Sequence, residues 1–518
     1  MKKLLSLALL AIIGCGTNQK TAQEKAVKNL DPIPYANTIT EAELKTHLYT
    51  YASDEFEGRD TGEPGQKKAV AYLRDEYKNL EIPAAQKDGN YFQNVPLQKG
   101  SNLQADLTIN GKEYIFEDDF LSFQAQMNGT VSFSEIVYVG YGIDDENYSD
   151  YENIDVAGKI VMFKIGEPEN KDGTFVLTGT EENSKWGNIR QGAAAKMSVA
   201  KERKAKGVLY FVGDLYERYK MQAAYMKKRS RISLKDKKDP FFYYVVNEKL
   251  ATDVHADIAK DATPARMKVD AAIVNKDKTN DVESENVVAI IEGDEKPNEY
   301  IVISAHLDHE GVKNGEVYNG ADDDGSGTVA ILEIAEAFKQ AQKEGNGPKR
   351  SVVFLHVTGE EKGLLGSRYY TNNPIFPLEN TVSNLNIDMI GRIDPKRTEG
   401  ERNYIYLIGS DKLSTELHNV SEEVNKKYTN IELDYTYNDE NDPNRYYYRS
   451  DHYNFAKNGI PVIFYFNGTH DDYHKPTDTV EKINYDLLTN RTRLVFHTAW
   501  ELANREQRIT VDKATETK

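Results

Sequence analysis

The sequence predicts an α/β fold, in which helices cover both faces of a mixed, mostly parallel sheet, with a β-rich domain inserted into the chain. From Asn286 onward, apolar β-branched segments alternate with helical ones, a pattern typical of a sheet buried on both faces. Between residues 122 and 275, strands that alternate apolar and polar residues dominate instead. We therefore expect residues 33–121 and 280–508 to form one domain and residues 122–275 to form the insertion.

Length and charge agree with this division and exclude one class of partner. A chain of 518 residues is long for one hydrophobic core, so two or more domains are expected. The 83 acidic residues exceed the 65 basic ones and give a formal net charge of −18. Such a surface repels phosphate backbones, so we expect no nucleic-acid partner.

The amino terminus resembles an export signal. Lys2 and Lys3 precede an apolar run that is too short to span a bilayer and ends at Gly14-Cys15, which resembles a bacterial lipobox. We expect residues 1–15 to be the signal peptide and Cys15 to carry a lipid that holds an exported protein to the cell envelope, in the periplasm or at the cell surface. The alternative is that Cys15 is an ordinary residue of a signal cleaved elsewhere. Residues 16–32 are expected to form a flexible tether, and residues 509–518 a flexible tail.

The individual elements follow from hydrophobic periodicity. Helices are expected over the stretches whose apolar residues recur at helical spacing: 66–80, 328–343, 413–427 and 485–505. Strands are expected where short apolar, β-branched runs occur: 287–291, 300–305, 351–357, 382–387, 404–408 and 460–466.

Polar clusters directly follow four of these strands. The residues that could act chemically are His306, Asp308 and Asp323 after the second strand, Glu360 and Glu361 after the third, Asp388 after the fourth, and Tyr473 and His474 after the last. Alone, a run such as Asp-Asp-Asp-Gly-Ser-Gly is usually a solvated turn or a helix cap. Because ligands bind at the carboxyl ends of strands in α/β sheets, the shared position of the clusters favours a common site.

The donor set indicates metal chemistry. Imidazoles and carboxylates together suit a borderline divalent ion such as zinc, although cobalt or manganese can use the same donors. Two ions carry four positive charges, of which Asp323, Glu361 and Asp388 would offset three and a bridging hydroxide the fourth. Since Glu360 and Glu361 are adjacent and point different ways, one can ligate an ion while the other serves as a general base.

These motifs resemble the dinuclear zinc aminopeptidases of metallopeptidase family twenty-eight. The resemblance covers Asn286 to the end of the chain and rests on Ser-Ala-His306-Leu-Asp308, Gly-Ala-Asp-Asp323-Asp-Gly-Ser-Gly, Gly-Glu360-Glu361-Lys-Gly, Asn-Ile-Asp388-Met, Arg-Ser-Asp451-His and Asp-Tyr473-His474-Lys-Pro-Thr-Asp. Glu57-Gly58-Arg59 also resembles the start of that family's domain. The segment 122–275 looks like the protease-associated domain inserted in several members.

The resemblance implies a role for each residue and a peptide substrate. Two zinc ions per chain would share Asp323, with His306 and Asp388 completing one site and Glu361 and His474 the other. Glu360 would be the general base that deprotonates the bridging water and later protonates the leaving amine, and Tyr473 would donate to the developing oxyanion. Asp308 would orient His306. The family also suggests a cis peptide between Asp323 and Asp324.

Three other functions remain open at this point. They are a glutaminyl cyclase of the same fold, a carboxypeptidase, and a binding lipoprotein without catalysis. Retention of all five ligands and Glu360 argues against the last of these. His309, His452 and His470 lie near the motifs but off the ligand pattern, and the sequence leaves open whether they reach the metals or the substrate.

Overall fold

The computed structural model describes residues 31–123, 126–189, 191–228, 231–235 and 240–513. The predicted signal peptide with Cys15, nearly all of the predicted tether and half of the predicted tail lie outside these residues. Within the described ranges, no helix is both long and apolar enough to cross a bilayer.

The helices and strands fall into three groups along the chain. The first comprises α1 Ile33–Ala36, α2 Glu41–Tyr51, α3 Pro64–Asn79 and β1 Phe92–Asn102. The second comprises β2 Ala105–Ile109, β3 Lys112–Tyr114, β4 Phe120–Leu121, β5 Gly129–Tyr138, β6 Asp144–Asp145, β7 Tyr148–Ser149, β8 Ile160–Lys164, α4 Gly192–Glu202, β9 Gly207–Phe211, α5 Tyr216–Lys228, β10 Arg231–Leu234, β11 Phe242–Val246, α6 Glu248–Val254 and β12 Ala265–Asn275. The third comprises β13 Lys278–Ile291, β14 Lys296–His306, β15 Gly311–Lys313, β16 Glu316–Tyr318, α7 Gly327–Lys343, β17 Arg350–Val357, α8 Leu365–Asn372, β18 Thr381–Ile387, β19 Tyr404–Ile408, α9 Thr415–Tyr428, β20 Glu432–Asp434, α10 His452–Ala456, β21 Val462–Phe466 and α11 Tyr485–Asn504.

The larger sheet is mixed, with parallel strands at its centre. Its order is β10-β1-β13-β17-β14-β18-β21-β19-β20. The pairs β17–β14, β14–β18 and β18–β21 are parallel, whereas β13–β17 and β21–β19 are antiparallel. The four central strands therefore end at the same edge of the sheet.

Both faces of this sheet are covered, as the apolar runs of the sequence predict. Alternate residues of β14 belong to two different clusters: Ile301 and Ile303 pack with α7 and α11, while Val302 packs on the opposite face with Phe455 of α10. A strand buried on both faces has no polar alternation, which is why these segments read as continuous apolar runs.

A second sheet lies in the middle of the chain. Its order is β3-β2-β12-β5-β8-β9-β11-β4, with β5, β8, β9 and β11 parallel. Its two faces pack into separate apolar clusters, one around Met162 and one around Val161. The β-rich region that the sequence predicts is therefore present, and its identity as a protease-associated domain stays a prediction.

Four strands depart from the predicted boundaries. Three of them, β2, β3 and β4, precede the expected boundary at residue 122 but belong to the second sheet, which begins at Ala105 where β2 pairs with β12. In the other direction, β10 lies within the predicted insertion but pairs with β1 of the larger sheet. The inserted segment is thus not fully self-contained, as we expected it to be. The strand predicted at 287–291 begins earlier, at Lys278, and the one predicted at 300–305 begins at Lys296. The other predicted strands and helices of this sheet match the observed ones to within two residues, and 404–408 matches at both ends.

Candidate metal centre

The predicted site residues converge at the carboxyl edge of the four central strands. His306 is the last residue of β14, and Asp388 directly follows β18. Glu361 lies just beyond β17, and His474 lies on the loop after β21. Asp323 lies on the turn that leads from β16 into α7. Parallel neighbours in one sheet thus bring four of the side chains together, and the turn before α7 brings Asp323 to them.

The first group of donors is fully buried. The Nε2 atom of His306 lies 3.1 Å from Oδ1 of Asp323 and 3.7 Å from Oδ1 of Asp388. These three atoms lie within 4.8 Å of one another, so one ion could contact all of them. The second carboxylate oxygen of Asp388 accepts a hydrogen bond from Ser450 Oγ at 2.7 Å, which fixes its orientation.

The second group shares Asp323 with the first. Nε2 of His474 lies 3.1 Å from Oδ2 of Asp323 and 3.2 Å from Oε2 of Glu361. The two oxygens of Asp323 therefore face different donor groups, one toward His306 and the other toward His474. A carboxylate in that position can bridge two ions.

The contacts suit a divalent ion better than a set of protein hydrogen bonds. His306 Nε2, Asp323 Oδ2 and Glu361 Oε1 are buried and have no hydrogen-bond partner among the described residues. Leaving such atoms unpaired costs about 1–3 kcal/mol each. Ligands held about 2.0–2.1 Å from a tetrahedral ion lie about 3.3 Å apart, close to the 3.1 to 3.7 Å observed here.

Burial and charge set the protonation of the second group. Burial alone would lower the pKa of His474, but its contacts with Asp323 and Glu361 outweigh this effect and raise the pKa to about 10. Without an ion, the His474 imidazole is therefore charged at neutral pH. A cation that binds here replaces that proton.

Asp308 contacts His306 through its main chain and not through its side chain. The backbone carbonyl of Asp308, not its carboxylate, lies 3.0 Å from Nδ1 of His306. The carboxylate instead accepts hydrogen bonds from Thr61 Oγ1 at 2.6 Å and from the backbone N–H of Glu360 at 3.1 Å. Asp308 thus orients His306 through its main chain and positions the Glu360 loop through its side chain.

A buried arginine holds the loop that carries these residues. The guanidinium of Arg59 donates to the carbonyl oxygens of Leu307, Asn319 and Gly320, at 2.7 to 3.1 Å, and to that of Tyr51. Leu307 precedes Asp308, and Gly320 precedes the turn with Asp323, so one side chain ties the two ends of the loop together. The sequence links Glu57-Gly58-Arg59 to the family but does not reveal this contact.

Further carboxylates secure the turn around Asp323. Asp324 accepts hydrogen bonds from the backbone N–H groups of His306, Gly327 and Met389, which joins three elements of the site. Asp478 accepts from the backbone N–H groups of Asp322 and Asp323. The predicted cis peptide between Asp323 and Asp324 is present and confirms that expectation.

Glu360 and Tyr473 have the electrostatics of a proton acceptor and a neutral donor. Burial raises the pKa of Glu360 well above its ordinary range, the charge of His306 opposes this rise, and Glu361 adds to it. Burial also raises the pKa of Tyr473, and the charge of Asp323 adds to this rise, so the Tyr473 hydroxyl stays protonated. The Tyr473 ring stacks on that of His474 at 3.8 Å, which places it beside the second donor group.

The three histidines that the sequence left open are now placed. His309 faces Glu361 and Asp323 within the centre. His470 lies beside Asp322, at 3.2 Å, and His452 stacks on Phe464. Ser450 lies in the Arg-Ser-Asp451-His motif and Thr61 lies two residues after Arg59, but neither position reveals its contact with Asp388 or Asp308.

The segment that builds this centre matches a known family. Residues 286–499 match Peptidase family M28. Residues 286–499, which we call the M28 segment, are therefore similar to that family. The match covers the four central strands and all five donors, and it excludes the second sheet.

Curated relatives also match part of the chain. A "Probable leucine aminopeptidase" of Trichophyton verrucosum is 32% identical over 226 residues, which are 42% of this chain and 57% of that protein. A "Probable zinc metalloprotease" of Pyricularia oryzae is 29% identical over 276 residues, which cover 45% of this chain and 53% of that protein. The chain spans little more than half the length of these relatives.

Solved structures also resemble the chain over most of its length. An aminopeptidase from Aneurinibacillus sp. strain AM-1 is 18% identical, with a TM-score of 0.47, and the alignment covers 93% of this chain and 98% of that one. A zinc aminopeptidase from Bacillus subtilis is 17% identical, with a TM-score of 0.46, over 92% and 98% of the two chains.

Proposed function

We propose that this protein is a zinc-dependent exopeptidase that releases amino acids from the amino end of peptides. The observation that carries the proposal is Asp323, whose two oxygens face two separate groups of buried donors. Similarity of the M28 segment to a peptidase family supports the hydrolytic reaction. The names of the matched relatives support the zinc and the direction of attack.

The five donors would hold two zinc ions, with Asp323 between them. His306 and Asp388 would complete one site, and Glu361 and His474 the other. When bound, zinc supplies a Lewis acid that polarises a carbonyl oxygen and makes water more acidic. The other steps fall to side chains of the chain itself.

Glu360 would transfer the proton. Because its pKa is raised, its carboxylate accepts a proton from the attacking water more readily than an exposed glutamate would. The same oxygen can then deliver that proton to the nitrogen of the leaving amine. The hydrogen bond from its backbone N–H to Asp308 holds this residue in place. Tyr473, neutral and beside His474, would donate to the carbonyl oxygen as negative charge develops there.

Zinc analysis together with a panel of amino-acyl amide substrates tests this function. We expect two zinc ions per chain and hydrolysis of substrates with a free amino end. Glu360→Gln should keep both ions and lose about 10²- to 10⁴-fold in turnover. The adjacent Glu361→Gln is the matched control, because it removes the same charge but should also release zinc.

The alternatives appear as distinct outcomes of this test. Zinc binding without amide cleavage from the amino end would favour a carboxypeptidase or a glutaminyl cyclase. Substrates with a free carboxyl end or an amino-terminal glutamine distinguish these two. A protein that binds no zinc would contradict all of the enzymatic functions and favour a binding protein without catalysis.

We also propose that the protein is exported and held to the cell envelope by a lipid on Cys15. The support is the basic, apolar and small-residue pattern of residues 1–15. Mass spectrometry of the amino-terminal peptide should show an acylated cysteine, and Cys15→Ser should release the protein from the membrane fraction. An unmodified Cys15 in a membrane-free protein would contradict the proposal.

A further inference from the structure

His309 lies inside the metal centre although the family motifs give it no role. Its ring is fully buried, and its backbone N–H contacts the carbonyl oxygen of Arg59 at 3.3 Å. The ring packs against Gly320 so closely that a Cβ atom at that position would come within 2.5 Å of it. The loop is therefore shaped to hold an imidazole here.

The Nδ1 atom of this ring faces two of the proposed ligands. It lies 3.0 Å from Oε1 of Glu361 and 3.7 Å from Oδ2 of Asp323, and the three residues can place donor atoms within 4.8 Å of one another. These distances fall around the spacing of about 3.3 Å that ligands of one tetrahedral zinc ion adopt.

These close atoms do not satisfy one another. Despite the 3.0 Å distance, neither Nδ1 of His309 nor Oε1 of Glu361 has a hydrogen-bond partner among the described residues, and Oδ2 of Asp323 has none either. Three buried, unpartnered atoms that converge on one point are expected where an ion is bound. His306 Nε2 shows the same condition at the other group.

Other buried histidines show why the position matters. Both ring nitrogens of His470 and His452 also lack hydrogen-bond partners within the described residues. However, His470 faces the single carboxylate of Asp322, and His452 packs on Phe464. Neither belongs to a three-donor group in the described part of the chain.

We propose that Nδ1 of His309 is a ligand of the second zinc ion, together with Glu361, His474 and the bridging Asp323. This inference rests on the proposed function only in assuming that zinc occupies the centre. The second ion would then have four protein residues around it and the first ion three. A neutral imidazole adds a ligand without changing the charge balance, so the second site is expected to bind zinc more tightly.

The coordinating atom makes the proposal testable in the unaltered protein. His306 and His474 face the carboxylates through Nε2, whereas His309 does so through Nδ1. Long-range ¹H–¹⁵N spectra of histidine-labelled protein, recorded during zinc titration, distinguish the two modes. We expect three imidazoles to respond, with one of them bound through Nδ1. A saturated protein with two zinc ions and only Nε2-bound imidazoles would overturn the proposal.

Variants separate ligation from packing. His309→Ala and His309→Asn should weaken zinc at the tighter site by at least about 100-fold in competition with a chelator. His470→Ala is the matched control and should leave zinc affinity unchanged. The unfolding midpoint of the metal-free variants reports any packing defect separately.

Either failure is identifiable. Unchanged zinc affinity in both His309 variants, with two ions bound in the original protein, would overturn this inference and leave the proposed function standing. Absence of zinc from the original protein would overturn both.

Discussion

The metal centre and the polar core of the second sheet both bury charged side chains, but the two regions differ in whether the protein supplies hydrogen-bond partners for them. In the second sheet, Asp150 accepts hydrogen bonds from the backbone N–H groups of Tyr141 and Ile143 and from the Tyr148 hydroxyl, at 2.7 to 3.1 Å. Lys164 donates to three backbone carbonyl oxygens, and Lys196 donates to that of Gly166. Each of these charges is satisfied by the protein itself.

At the metal centre, the equivalent atoms point at one another without pairing. The atoms His306 Nε2, Asp323 Oδ2 and Glu361 Oε1 are also buried, yet they lack hydrogen-bond partners among the described residues. Buried polarity alone therefore does not indicate chemistry. What separates the metal centre from a structural site in this molecule is that its unpaired buried donors converge in groups of three, so that one ligand could offset the desolvation of several donors at once.

Removing the shared carboxylate should have the largest effect on this comparison. Asp323→Asn takes away the one residue that faces both donor groups, so we expect loss of at least one zinc ion and a fall in activity of about 10³-fold or more. Zinc analysis and turnover measure the two effects. Asp150→Asn makes the same chemical change in the second sheet and should retain both ions. Equal zinc content in the two variants would contradict the distinction between the metal centre and the second sheet.

The protonation of His474 predicts the next effect. Its pKa of about 10 in the metal-free protein means that zinc must displace a proton at neutral pH. Zinc affinity should therefore rise about tenfold for each pH unit between 7 and 9 through this residue, as measured by competition with a chelator of known pH dependence. His474→Ala should flatten the dependence; an unchanged slope would assign the proton to another group.

The same residue affects the stability of the metal-free fold in the opposite direction. An unfolded histidine loses its proton near 6.5, whereas folded His474 keeps it to about 10. Its contribution to the free energy of unfolding is complete below pH 6.5 and disappears as the pH rises to 10. Higher pH thus strengthens zinc binding and weakens the metal-free protein.

Much of this architecture is predictable because the relevant signals are local. Apolar runs such as 404–408 define buried strands, and the polar residues that follow strands identify the site edge. Their positions directly after predicted strands indicate that His306, Glu361, Asp388 and His474 lie at one edge of the sheet, with Asp323 in the loop that follows His306. These inferences need only hydrophobic patterning and the rule that parallel strands end together.

Contacts that depend on backbone direction are not predictable in this way. The sequence indicates that Asp308 supports His306, but it cannot show that the carbonyl makes the contact while the carboxylate holds Glu360. Likewise, β2 has the same alternating pattern whichever sheet it joins. The boundary was therefore predicted at residue 122, after the observed start of the second sheet at Ala105. His309 was left open because one imidazole in a loop gives no indication of which ring nitrogen faces which carboxylate.

A smaller effect is expected from the satisfied carboxylate of the second sheet. Asp150→Asn places an amide where three donors converge and should cost about 3 kcal/mol in the free energy of unfolding. Each sheet packs against one of the two tryptophans of the chain. Trp186 packs in a cluster of the second sheet, and Trp500 packs in the core of the larger sheet. In a Trp500→Phe background, the fluorescence of Trp186 reports the second sheet alone. A destabilisation seen instead through Trp500, in a Trp186→Phe background, would show that the two regions are not independent.

The smallest expected effect concerns Lys196, whose pH dependence opposes that of His474. Burial lowers the pKa of Lys196 from 10.5 to about 8, so between these values the unfolded chain binds the proton that the folded protein has lost. The free energy of unfolding should therefore rise between pH 8 and 10, by about 1–2 kcal/mol.

Zinc-loaded protein separates this change from the titration of His474, because His474 is already deprotonated there. Urea unfolding followed through Trp186 should show the rise in the original protein and lose it in Lys196→Met, while zinc content stays the same in both. A rise that persists in Lys196→Met would place the titrating group elsewhere and leave Lys196 as a charge fully stabilised by Gly166 and its neighbours.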